Sequence, residues 1–261
     1  MYIFNRKTMS IRIKIFKEPK VNNPYVIVGF PGIGYVAKIA LDYIVEKLKA
    51  EKFAEIYSYS FPSFIIVKND GTIDPIRVEL YNSGNFIFVT ANAQPATPEG
   101  QHELTDFIVR EILKRYGISK IYAMAAYVVE GRIGEPKIYG AVTDIQIMKD
   151  LESFGIIPMS GGSISGANGI ILTYAKENEI PAACLLSETL AYTYGYFADV
   201  KAAEALVKMI TIITGIKIDL VDIEEKAKNF ENMIRKFREA EEKTAREERG
   251  KTWKGDLTYL W

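Results

Sequence analysis

Apolar and polar residues change their spacing along the chain in ways that separate strands from helices. Residues 11–16 (IRIKIF) alternate strictly, which predicts a strand with one wet face, and the Arg and Lys on that face suit a sheet edge. Residues 25–30 (YVIVGF) are apolar without a break, as expected of a strand buried on both faces. Pro31-Gly32-Ile33-Gly34 ends the run. Val36, Ala40, Ile44 and Leu48 then recur at helical spacing, with Lys38, Asp42, Glu46 and Lys49 off that stripe. Strand, glycine turn and helix open an α/β fold.

The alternation continues. Residues 53–67 predict two strands broken at Phe61-Pro62. Asn69-Asp70-Gly71 tolerates positive φ and predicts a hairpin, with Ile76–Tyr81 returning antiparallel. Phe86–Ala91 predicts a buried strand, Glu99–Tyr116 a helix ended by Gly117, Ile118–Val129 a strand, and 142–154 a helix closed by Gly155. The glycine-rich loop Ser160–Gly169 leads into a helix ending near Asn178, followed by the strand Ala182–Ser187 and the helix Val200–Thr214. The order predicts a three-layer α/β/α sandwich over residues 1–218, its sheet mostly parallel with an antiparallel hairpin inserted.

Beyond Asp219 the character changes. Ile223, Ala227, Phe230, Ile234 and Phe237 recur at spacings of four and three, a heptad seam suited to packing on the body or on another subunit. Past Ala240 the helix has only Ala245 to bury and is predicted to project into water until Gly250 ends it. The tail, 251–261, carries Trp253, Leu257, Tyr259, Leu260 and Trp261, including both tryptophans of the protein. Large apolar groups at the end of a polar helix mark a partner-binding segment.

Composition then removes most catalytic classes. The chain has 33 basic and 33 acidic residues, so no global charge recruits nucleic acid or an anionic membrane. One cysteine, Cys184, leaves no internal disulfide and no thiolate cluster, which points to a reducing compartment. One histidine, His102, excludes metal sites needing two imidazoles and obliges any His-dependent triad to use that residue. No stretch of about 18 apolar residues is available to cross a membrane. A cytoplasmic protein is expected, with no catalytic residue, metal or cofactor assigned. Its many Ile, Lys and Glu suit a thermophile.

Two glycine loops are the remaining candidates for chemistry. Gly32 and Gly34 lie between a strand and a helix, where free amides suit an anion. Ser163, Ser165 and Asn168 in the second loop offer oxyanion ligands, or satisfy the loop backbone and cap the next helix. The first loop matches neither the phosphate-cradling nor the dinucleotide motif, the second lacks Gly-x-Ser-x-Gly, and neither contains Lys or Arg, so a structural role is the favoured reading for both. An enzyme or nucleotide binder built on these loops is the alternative. Glu130 and Arg132, at a strand end, read either as an acid with an anion binder or as an exposed ion pair.

Val28-Gly-Phe-Pro-Gly-Ile-Gly34, Ser165-Gly-Ala-Asn-Gly169 with its apolar helix, the strand Pro181–Ser187 followed by Glu188, and the charged C-terminal helix with an aromatic end together resemble the archaeal members of the family that includes proteasome assembly chaperone two. The resemblance runs from about residue 10 to the end. It implies a fold like that of nucleoside phosphorylases and related hydrolases without an established activity, homo-oligomeric assembly, and interaction with proteasome α-subunits or a related chaperone. It also implies a C-terminal hydrophobic–tyrosine–any motif that inserts between α-subunits. Here Tyr259 stands one place early and Leu260 takes the penultimate position, a departure that bears on gate opening more than on binding.

Overall fold

A computed structural model describes residues 2–3, 10–132, 134–190 and 198–252 of the 261. In chain order the strands are β1 (Tyr2–Ile3), β2 (Ile11–Ile15), β3 (Tyr25–Gly29), β4 (Glu51–Ser58), β5 (Ile66–Val67), β6 (Ile73–Asp74), β7 (Val78–Ser83), β8 (Phe86–Ala91), β9 (Lys120–Val128), β10 (Ile138–Val142), β11 (Ile157–Pro158) and β12 (Ala182–Thr189). The helices are α1 (Val36–Lys47), α2 (Pro98–Phe107), α3 (Ile145–Glu152), α4 (Ala167–Glu177), α5 (Val200–Thr214) and α6 (Val221–Thr252).

Among the described residues, one sheet runs β1-β2-β4-β7-β8-β3-β9-β12-β10-β11. Its centre, β8-β3-β9-β12, is parallel; β2, β4 and β7 pair antiparallel on one flank and β10 on the other. The unbroken apolar run of β3 has its predicted cause. Val26 and Val28 face one hydrophobic layer and Ile27 the other, and all three are fully buried. Leu104 of α2 and Ile171 and Ala175 of α4 fill the first layer; Ala40 and Ile44 of α1, Ile147 of α3, and Leu206 and Ile210 of α5 fill the second. The three-layer sandwich is therefore present.

The inserted hairpin exists as β5 and β6, joined around Asp70-Gly71 and paired only with each other. β4 and β7 pair below it, so the hairpin is an outgrowth of the main sheet. The helix expected from 99 to 116 starts as α2, capped by Thr97, whose hydroxyl accepts from the Gly100 N–H. It loosens into a π-helical turn over Ile108–Ile112 and closes as a tight turn over Leu113–Tyr116. Two strands, β10 and β11, fall where the sequence predicts a loop and a helix terminus. The helix α6 continues through Gly250 to Thr252. One helical glycine costs about 1 kcal/mol against alanine. A glycine stop needs an apolar contact across it, and Arg246 and Lys251 occupy the flanking positions.

Candidate functional site

The two glycine loops, about 130 residues apart in sequence, meet at the carboxyl ends of the central parallel strands, where open α/β sheets place their crevice. They enclose a cavity of about 640 Å³. Gly32, Ser163, Ser165 and Asn168 all line it, joined by Gln94, Gln101, Tyr127 and Met159. Gly34 stands outside the lining. It has φ +60°, and Tyr35 after it has φ +52°, a left-handed pair that turns the chain into α1. Holding a tyrosine there costs about 1–2 kcal/mol.

Two amide side chains clip the loops together. Asn168, buried, accepts from the Phe30 N–H at 2.8 Å and donates to the Phe30 carbonyl at 3.0 Å. Gln94 donates to the Pro31 carbonyl at 2.5 Å and accepts from the Ala167 N–H at 2.8 Å. Gly166 must be glycine for this to work. Its φ is +81°, and a Cβ there would sit 3.0 Å from the Gln94 oxygen.

These clips decide the chemistry of the cavity. The first amide of α4 and the amide of Phe30, the donors an anion would seek, are already taken by Gln94 and Asn168. Among the described residues, no acidic, basic or histidine side chain lines the cavity. His102 lies on the exposed side of α2, with Nδ1 3.0 Å from the Tyr174 hydroxyl. Cys184 is fully buried in β12, and burial pushes its thiol up to about 12. The arrangement offers neutral hydrogen-bonding groups and apolar walls.

Arg132 does not make an exposed pair. Its side chain turns inward, donating to the Glu188 carbonyl at 3.1 Å and lying 3.5 Å from Asp199. Asp199 is the better buried of the two and its carboxylate is fully engaged. It accepts from the Thr189 hydroxyl at 2.8 Å, the Leu190 N–H at 3.3 Å and the Ala202 N–H at 2.9 Å, capping α5. Its own N–H donates to the Gly34 carbonyl at 2.8 Å. One residue thus ties the first glycine turn to the end of β12, to Arg132 and to the start of α5. A buried carboxylate is tolerated when it is paired and bonded in this way. Sequence reasoning missed Asp199 and Gln94. Gln94's position just past the end of β8 was the available signal.

The heptad seam of α6 packs on the chain's own body. Ile223, Ala227, Phe230 and Ile234 are all buried, whereas Phe237 is 46% exposed. Polar contacts anchor the start of the helix: Lys47 pairs with Asp222, Lys208 with Glu224 at 2.9 Å, and the Tyr43 hydroxyl donates to the Asp219 carbonyl at 2.7 Å. Burial raises the Tyr43 pKa, consistent with a hydroxyl closed under the helix start. From Arg235 to Arg246 every described side chain is exposed. The stretch from Phe237 to Thr252 is about 24 Å of helix. The tail residues Trp253, Leu257, Tyr259, Leu260 and Trp261 lie outside the described residues.

Residues 26–238, from β3 to the last seam position of α6, match the PAC2 family pattern. The chain belongs to the PAC2 family. An uncharacterised protein of Methanocaldococcus jannaschii is 35% identical to it over 263 residues, covering 99% of both chains. Pyrococcus furiosus PbaB, an archaeal proteasome activator, is 30% identical, with a TM-score of 0.80 over 88% of this chain and 100% of PbaB. Pyrococcus furiosus PbaA, an archaeal homologue of proteasome-assembly chaperone, shares the fold at a TM-score of 0.74 and 24% identity, covering 96% of this chain and 100% of PbaA. The resemblance drawn from the motifs is borne out. Both glycine loops, Gln94, Asp199 and the docked part of α6 fall within the PAC2 match, and the last turns of α6 and the tail fall beyond it.

Proposed function

We propose that this PAC2-family chain is a non-enzymatic, homo-oligomeric scaffold of the proteasome-assembly-chaperone type, working in the cytoplasm. It engages proteasome α-subunits, or a chaperone partner, through the far half of α6 and the tail. The observation that carries this reading is the division of α6. Its apolar seam is spent on the body as far as Ile234, and an exposed polar rod then leads to Trp253, Leu257, Tyr259, Leu260 and Trp261. A likeness to an archaeal proteasome activator at 30% identity supports the choice of partner. Several tails on one oligomer make individually weak contacts effective.

The test is capture of proteasome core subunits by the full chain and by a chain ending at Thr252. Full-length protein is expected to retain them and the shortened chain to lose them. Equal capture by both removes the tail from the account.

A further inference from the structure

The two amides that clip the glycine loops each keep an N–H in reserve. A carboxamide nitrogen carries two hydrogens; Asn168 gives one to the Phe30 carbonyl and Gln94 one to the Pro31 carbonyl. Both side chains line the cavity, and Asn168 is only 5% exposed. Gly32 lies between them. A Cβ there would stand 3.8 Å from Gln94 Nε2 and 4.0 Å from Asn168 Nδ2, and among the described residues no atom outside its chain neighbours comes nearer. Gly32 is extended, with φ −158°, a conformation open to any residue, so the missing side chain serves the gap and not the turn. On the cavity wall Gln101 donates to the Pro95 carbonyl at 3.2 Å, and among the described residues its Oε1 has no hydrogen bond.

We propose that this cavity binds a small uncharged molecule of the lactam or cyclic imide kind, a ring that carries both carbonyl and N–H groups. A carbonyl oxygen enters the gap at Gly32 and accepts from the reserve N–H groups of Gln94 and Asn168. The ring N–H groups have Gln101 Oε1 and the Ser163 and Ser165 hydroxyls as acceptors, and Ala125, Met159, Leu186 and the Tyr127 ring form apolar walls. Tyr127 is held flat by stacking on Tyr139, with ring centroids 4.5 Å apart. Other ligand classes fit worse. An ion of either sign finds no charged side chain among the described lining residues, and a wholly apolar molecule would bury the reserve N–H groups without partners. The volume of about 640 Å³ suits one small molecule closed in by both loops. The inference does not depend on the proteasome reading above.

Calorimetric titration of the full chain tests this, with uridine, inosine and the cyclic dipeptide of glycine and alanine as probes. Saturable binding of at least one, at one molecule per chain, is expected; a nucleoside that binds assigns the ring to a base, and the cyclic dipeptide assigns it to a peptide. No saturable heat from any of the three overturns the inference. Tighter binding of uridine monophosphate than of uridine overturns the uncharged assignment. Gly32→Ala adds a methyl group at ordinary contact distances, so it should fold as wild type does while filling the gap and weakening the bound probe at least about tenfold. Gln101→Met leaves the gap open, removes one acceptor and should weaken binding several-fold. Binding unaltered by Gly32→Ala places the probe elsewhere and overturns the site, and Gln101→Met decides the matter in the same way should Gly32→Ala fail to fold. Proteasome capture enters none of these outcomes, so failure of the tail reading and failure of this one are read separately.

Discussion

Asn168 carries both backbone polar groups of Phe30, accepting from its N–H and donating to its carbonyl across 138 residues of chain. Phe30 is fully buried, so removing the amide leaves two buried groups without partners. Asn168→Ala should destabilise the protein by about 2–4 kcal/mol in urea unfolding. Asn168→Asp keeps the acceptor, loses the donor and buries a carboxylate, whose pKa must rise. Its deficit is present at neutral pH and recovers as pH falls through that raised value. A variant no more stable at pH 5 than at pH 8, relative to wild type, contradicts this account.

Glu55 and Glu79 are direct cross-strand neighbours between β4 and β7, an arrangement that repels unless a cation intervenes. Arg77 intervenes, 3.0 Å from Glu55 and 2.7 Å from Glu79, with Lys52 at 2.6 Å and 3.0 Å. Burial pushes the Glu79 pKa up, but Lys52 and Arg77 pull harder, so it lies below its ordinary 4.5. A carboxylate lowered on folding adds stability above its unfolded pKa and loses it as pH falls through the folded value. Glu79→Gln should therefore be less stable than wild type by on the order of 2 kcal/mol at pH 7. The gap should close as pH drops below the ordinary carboxylate range. Arg77→Met should follow the same course, weakest against wild type at neutral pH and relieved by acid as the facing carboxylates are protonated.

Ile223 is the most deeply buried apolar side chain described in α6, together with Ala227, and its packing fastens the helix to the body. Ile223→Ala should lower stability by about 2–3 kcal/mol, and Ile223→Val by about 1 kcal/mol. Limited trypsin digestion should cut the Ile223→Ala variant faster between Lys226 and Lys243 while the body survives. Unchanged cleavage would mean that the polar anchors at Lys47 and Lys208 hold the helix without the seam.

Among the described residues, no charged side chain lines the cavity between the glycine loops, and the amides of Phe30 and Ala167 are already bonded. Millimolar phosphate should leave the melting temperature where it was. A site with a Kd near 0.1 mM would add about 2.7 kcal/mol at hundredfold excess, which thermal denaturation resolves readily. A shift that vanished with Ser163→Ala and Ser165→Ala together would restore the anion-binding reading.

The strands of the sheet's centre, the glycine turns, the hairpin and α6 were all legible in the sequence, because each element depends on neighbours within one or two turns of the chain. Period-two and period-3.6 spacing, positive-φ residues and caps are local physics, and they locate elements whatever lies around them. β10 escaped that logic. Its five residues include Gly140, where a Cβ would stand 2.9 Å from the Ile156 side chain, a clash that arises only once α3 and β11 have folded over the strand.

Pairing was decided by the tertiary structure. Arg132 reads as a surface charge until Asp199, 67 residues away, is brought beneath it. Asn168 reads as a ligand or a cap until Phe30 takes both ends of its amide, and Phe237 reads as one more buried seam residue, yet in the fold it is 46% exposed. Burial and hydrogen-bond satisfaction are relations between distant segments, so no spacing along the chain encodes them, and only the folded neighbourhood settles which polar group meets which.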